Sequence, residues 1–306
     1  INSNRSVSYW DFANTKEFKE LIIPEEFDEN EIKEFNYKNN QKIETKTIHD
    51  IVSGKYSYVH DLKFPKMLHA RIIRPPNYYS KFVKIINEIE DKLIELDIKL
   101  IVKGSFLAIL SPDEFLVVKY LEIIKQNIVW EELRDLSNNN IYKSLKENDR
   151  DTLLVKSGGQ AFYEAIPIIK DFKDKSCTTL TSEYKKGYLM HGPIGPSAAC
   201  SIFSNNKFTI YSHSQALYDL KLSCSEYFGV NPENVTLKFI PGSGCYGHNG
   251  ADDVAFEAGL LSKEFPDTHV LLKWTRQDEH CWEPYGSASL NKITGVINDK
   301  GKIIYW

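Results

Sequence analysis

The stretch Pro241-Gly242-Ser243-Gly244-Cys245-Tyr246-Gly247-His248-Asn249-Gly250 follows a strand-like run, Val235 to Ile240, and precedes a helix-like one from Ala251. Glycines at this density let backbone N–H groups close on an anion without side chains in the way. Gly242, Gly244 and Gly247 also spell G-x-G-x-x-G, the dinucleotide fingerprint, in a strand–loop–helix context. Three features weigh against that spelling. The fingerprint normally opens a fold, whereas this loop lies late in the chain; Pro241 interrupts the junction and Tyr246 adds bulk where close approach is needed. The following strand ends in Thr275-Arg276 rather than an acidic residue, and Arg276 would suit a 2′-phosphate. A third reading is that the glycines only make a tight turn.

Around the loop, the chain alternates strand and helix. Strands are expected at 208–212, 235–240 and 269–274, and helices at 215–228 and 251–261. Earlier, Met67 to Ile73 and Leu100 to Leu110 read as strands, and 82–96 as a helical face whose first half fits a strand equally well. Ser111-Pro112-Asp113-Glu114 marks a helix start, with Val117, Leu121, Ile124 and Ile128 as its stripe. A helix over 160–169 and a strand over 178–184 complete the pattern. The fold class is therefore α/β (α+β). Its expected divisions are a connecting arm at 1–47, a small α/β domain at 48–135, a polar linker at 136–152 and a second α/β unit at 153–306.

The 306 residues carry a net charge of −4, with no long basic block, which removes the electrostatic footprint of a nucleic-acid or anionic-membrane binder. No apolar run approaches the length of a membrane span. Five cysteines at wide spacings, without a CxxC pair, write neither a disulfide framework nor a zinc or iron–sulfur site, so such a centre is expected on another chain. Ile1 is not a start methionine, and the apolar run Ile303-Ile304-Tyr305-Trp306 follows a turn at 298–301. Both ends read as those of a segment of a longer polypeptide, with the last strand pairing outside it.

Other candidate groups have two readings each. Cys245, His248 and Asp252-Asp253 can suggest a thiol with a base, but residues three apart meet reliably only within a helix. The two aspartates suit the dipole of the following helix. Gln215, in Ser212-His213-Ser214-Gln215, sits where a strand gives way to a helix, and presents either a ligand contact or a cap. His191, in a Gly/Pro loop, is open between a structural and a functional role.

Five motifs in this order resemble a known family: GKYSYVHDLKFPKMLHARIIRPP (Gly54 to Pro76), HGPIGPSAA (His191 to Ala199), SHSQ (Ser212 to Gln215), PGSGCYGHNGADD (Pro241 to Asp253) and KWTRQDEHCWEP (Lys273 to Pro284). Over about residues 47–290 the chain is similar to the molybdenum-binding large subunit of the xanthine dehydrogenase/aldehyde oxidase family, nearest the nicotinate dehydrogenase and isoquinoline 1-oxidoreductase branch. The resemblance implies a hammerhead-like small domain and the first part of a molybdopterin-binding domain. It implies a hydroxylase acting on a heteroaromatic or aldehyde with water as oxygen source. The cofactor is then molybdenum-molybdopterin in its cytosine dinucleotide form, with [2Fe-2S] clusters on a small partner subunit.

By the same resemblance, Gln215, Gly242, Gly244, Cys245, Tyr246 and Gly247 face the cofactor, and His248, Asn249 and Arg276 the substrate. No protein ligand to the metal is implied. Asn249 stands where purine-oxidising members carry a glutamate, which disfavours purines. The family's glutamate base has no counterpart before Trp306, and neither Glu279 nor Glu283 is taken as a substitute; the isolated segment is expected to be inactive. The partners implied are the remainder of the large subunit, the iron–sulfur subunit and a small-molecule substrate. The compartment is open between cytoplasm and periplasm. The alternatives are an NAD(P)-binding oxidoreductase domain using the Gly242–Gly247 loop, or a non-catalytic assembly module.

Overall fold

The computed structural model describes residues 47–86, 89–133, 140–149, 154–155, 161–162 and 176–306. Two compact units divide the chain, 1–56 and 57–306. In the first, helix α1 (Ile48–Val52) opens the 48–135 stretch, at a place where no helix is expected. The arm proposed at 1–47 otherwise lies outside the described residues.

The second unit runs β1 (Leu68–Ile73), β2 (Ser80–Ile85), α2 (Ile89–Glu95), β3 (Lys99–Lys103), β4 (Phe106–Ser111), α3 (Glu114–Lys125), β5 (Ile128–Glu132), α4 (Ile141–Glu147), β6 (Leu154–Val155) and β7 (Ala161–Phe162). It continues with β8 (Cys177–Lys186), β9 (Ala198–Ser204), β10 (Lys207–Ser212), α5 (Leu217–Phe228), β11 (Val235–Phe239), α6 (Ala251–Glu264), β12 (Val270–Lys273), α7 (Arg276–Trp282), β13 (Ser289–Asn298) and β14 (Ile303–Tyr305). Seven strands form one mixed sheet in the order β11-β10-β9-β12-β1-β4-β3. It therefore joins strands from the 48–135 stretch to strands from beyond residue 153, through the parallel pair β1–β12.

Alternation along β4 shows how the sheet is packed on both faces. Ala108 and Leu110 enter one core with Phe208, Phe228 and the α6 residues Val254, Ala255 and Ala258. Leu107 and Ile109 enter another with Leu93 of α2 and Val117, Leu121 and Ile124 of α3. Small residues on α6 let it lie close to its neighbours; a Cβ on Gly259 would meet Phe228 of α5 at 2.8 Å and Ile210 of β10 at 3.3 Å.

Several local expectations change. Ile128 leaves the α3 stripe, because the Asn127 amide donates to the Ile123 carbonyl at 2.7 Å and ends the helix, freeing Ile128 to begin a strand paired with β2. The first half of 82–96 is strand and the second half helix. The 136–152 stretch holds α4, started by the Asn140 side chain accepting from the Lys143 N–H. Ala161 and Phe162, placed in a helix by their sequence, pair instead with Val155 and Leu154, and the rest of 163–169 lies outside the described residues. The strand at the C-terminal end has a ladder within the chain: β14 pairs antiparallel with β13, which pairs with β8, and β14 lies at the edge of this sheet.

Candidate cofactor-binding loop

The sheet directions bring the motifs together. β10 and β11 are parallel, β9 is antiparallel to both β10 and β12, and β12 runs parallel to β1. The C-terminal ends of β10, β11, β12 and β1 thus share one edge with the start of β9. That edge carries the SHSQ turn, the glycine loop, Trp274 to Arg276, Arg74 and the 191–197 loop, as ligand sites of α/β sheets generally sit beyond carboxyl strand ends. Ile240 donates its N–H to the Ser212 carbonyl at 3.0 Å, which locks the starts of the SHSQ and glycine loops side by side.

This connectivity differs from the dinucleotide fold. From the glycine loop, α6 carries the chain to β12, past β10 and β9, whereas the dinucleotide fingerprint lies within a mononucleotide-binding unit of successive parallel strands.

Within the loop, Gly244 (φ +106°) and Gly247 (φ +135°) hold conformations closed to other residues, and Tyr246 adopts a left-handed φ of +58°. Among the described residues, none of the backbone N–H groups of Gly242 to Gly247 has a protein acceptor, and the buried Ser243 hydroxyl also has no partner. Tyr246 is 59% exposed, so the loop crest faces outward. Gln215 is exposed on the neighbouring loop and its amide has no partner among the described residues. The Ser212 hydroxyl instead accepts from Ser214 N–H at 3.0 Å, and Ser214 from Ala216 N–H at 2.9 Å, so the serines do the local capping and leave Gln215 free of it.

Behind the crest lies a buried brace. Fully buried Glu279 on α7 accepts from the Ser197 N–H (2.7 Å), the Ser197 hydroxyl (3.1 Å) and the Gly250 N–H (3.3 Å), tying the 191–197 loop to the end of the glycine loop. Arg276 donates to the carbonyls of Pro193 (2.8 Å) and Ile194 (2.7 Å). His60 reaches the Pro196 carbonyl at 2.7 Å. Gly250 packs against the six-membered ring of Trp274, whose Nε1 donates to Glu257 at 2.7 Å. Arg74 grips Glu257 through both guanidinium nitrogens, at 2.5 and 3.0 Å, with its cation 4.6 Å from the Trp274 ring.

The candidates thus separate by geometry. Gln215 and residues 242–247 come together at one edge. Asn249 is only 1% exposed; its oxygen accepts from the Cys245 thiol (3.2 Å) and the Ala251 N–H (3.3 Å), which closes the loop on itself. Cys245 and His248 are not paired: the thiol points to Gly247 and Asn249, while His248 contacts Asp252 at 2.8 Å. Arg276 spends its guanidinium on carbonyls. His248 is exposed. Burial pulls His213 down to about 4, with the nearby His60 adding to the effect, so its ring is neutral where it packs against Gly242. Desolvation raises Glu283, opposed by the His191 N–H that it accepts.

Sequence reasoning missed Glu279, Arg74 and His213 as parts of this edge. The readable signal was Thr275-x-x-Asp278, a capping box that fixes the start of α7 and so aims Glu279 inward.

No family model matches the chain. The mixed sheet with this edge is similar in fold to quinoline 2-oxidoreductase from Pseudomonas putida 86, which superposes with a TM-score of 0.65 over 84% of this chain and 37% of that one, at 12% identity. Fold and sequence likeness together support a segment of molybdenum-hydroxylase type. In sequence it is similar to a nicotinate dehydrogenase subunit of Pseudomonas putida (strain KT2440), 26% identical over 262 residues, which cover 82% of this chain and 21% of the relative. It is also 19% identical over 258 residues to a membrane-bound aldehyde dehydrogenase of Gluconacetobacter polyoxogenes, whose name assigns pyrroloquinoline quinone; the match covers 82% of this chain and 33% of that protein. The chain therefore spans about a fifth to a third of these two relatives' lengths. No helix among the described residues is long and apolar enough to cross a membrane.

Proposed function

We propose that this chain forms the glycine-loop part of a molybdenum-hydroxylase large subunit, which oxidises a heteroaromatic or aldehyde substrate with water as the source of oxygen. One observation carries the reading. Among the described residues, six successive N–H groups without protein acceptors lie beside the free amide of Gln215, an arrangement that fits an anionic, oxygen-rich group better than a turn kept only for its shape.

Molybdenum-molybdopterin, in the cytosine dinucleotide form, would be held by the N–H groups of Gly242 to Gly247 and by the amide of Gln215; when bound it supplies the two-electron oxidation and the oxygen transfer. The chain's own residues bind and orient. Gln215 presents an NH2 donor, the loop presents donors that need no reorganisation, and Glu279, Arg276 and Asn249 fix the loop from behind. Asn249 and Arg276 are assigned to this bracing rather than to substrate contact, which leaves His248 as the exposed side chain toward the substrate. Clusters of the [2Fe-2S] type on a small partner subunit would take up the electrons, and the remainder of the large subunit would supply the general base, so the segment alone is expected to be inactive.

Turnover of a heteroaromatic substrate by the full complex in water labelled with heavy oxygen tests this. Label in the hydroxylated product is the expected result; product oxygen derived from dioxygen would refute it.

A further inference from the structure

We propose that His191 is a strut for the second half of the glycine loop, seated on Glu283 and holding the His248 N–H, and so a positioning residue for the anion that the loop receives. Its ring occupies the space beside Gly247, where a Cβ would lie 2.5 Å from Cδ2 and 2.6 Å from Nε2. Gly247 is thus required twice, by its φ of +135° and by this ring. Nε2 accepts the His248 N–H at 3.1 Å, so that nitrogen carries a lone pair and the ring proton belongs to Nδ1. Nδ1 faces Glu283 Oε1 at 3.6 Å, and the same oxygen accepts the His191 N–H at 2.7 Å. Glu283 is buried at the C-terminal end of α7, one turn beyond Glu279. The strut therefore stands on the helix whose buried Glu279 already holds Gly250.

This assignment explains a contrast within the loop. The N–H groups from Gly242 to Gly247 point to no protein acceptor among the described residues, yet the next one, on His248, is taken by a side chain 57 positions away. The donor row ends where the strut begins. The role toward an anion rests on the function proposed above; the strut itself does not.

Nuclear magnetic resonance on the isotope-labelled 306-residue chain tests it. The expected result is an unprotonated, acceptor-type Nε2 on His191 near neutral pH. His248 amide exchange should speed up about tenfold or more in His191→Leu, while His191→Gln, whose side-chain oxygen reaches the same point, stays within about threefold of the unaltered chain. A protonated Nε2, or a His248 amide with equal exchange in all three proteins, overturns the strut. If His191→Leu fails to fold, the ring nitrogen and the Gln variant decide. Molybdenum content of the full complex is a separate arm. A His191→Leu complex that keeps its full molybdenum and pterin overturns the role toward the anion, whereas an unaltered complex without molybdenum removes the proposed function and leaves the strut standing.

Discussion

Glu279 takes three donors on one buried carboxyl group, so both of its oxygens must accept. Glu279→Gln would turn an NH2 toward groups that are themselves donors. The expected cost is about 3 kcal/mol in urea unfolding, the scale of a broken charged hydrogen-bond set. His213 gives a pH signature. Its folded-state value is depressed to about 4, so the unfolded chain takes up the proton first; the stability it contributes is present above the ordinary histidine range and is lost as pH falls through about 4. The loss of unfolding free energy between about pH 7.5 and pH 4 should therefore be smaller by about 3 kcal/mol in His213→Gln than in the unaltered chain. An equal loss in both proteins would contradict this. At this scale the sequence shows the donors and hides their supports. Glycines announce an N–H cradle by their density, but Glu279 and His191 act on it from about 30 and 57 positions away, with no local pattern to mark them.

Between elements, the most consequential join is Arg74, just past β1, to Glu257 on α6 and Trp274 after β12. Desolvation pushes the Glu257 carboxyl up and Arg74 pulls it back, so removing the guanidinium alone leaves a buried acid unpaired. Arg74→Met should cost about 3–5 kcal/mol, and the double variant with Glu257→Gln should cost less than the sum of the singles, as a double-mutant cycle in urea will show. Helix α3 was legible from its start and stripe, and α5 and α6 from the strand–helix alternation, whereas α7 went unread although its capping box marks its start. Strand β5 was not legible either, because Ile128 also fits the α3 stripe and only the Asn127 contact to Ile123 separates them.

Over the whole molecule, strand periodicity reveals which face is buried and says nothing of which strand lies alongside. The insertion of β12 between β9 and β1 could not be read from the chain, and it brings Lys273 to Arg276 beside the 191–197 loop. All buried hydrophobic positions among the described residues lie beyond residue 57, within the second compact unit. A chain beginning at Ser57 should therefore unfold cooperatively with a midpoint within about 5 °C of the full chain; a broad, non-cooperative melt would contradict that assignment. The edge of this sheet is where molybdenum and its pterin would sit. Metal and pterin analysis of the full complex, for the unaltered protein beside Gly247→Val, tests it most directly. Near-stoichiometric molybdenum with pterin is expected in the first, and their loss in the second with circular dichroism unchanged. Full substrate oxidation by a preparation that carries no molybdenum, or that carries pyrroloquinoline quinone in its place, would contradict it.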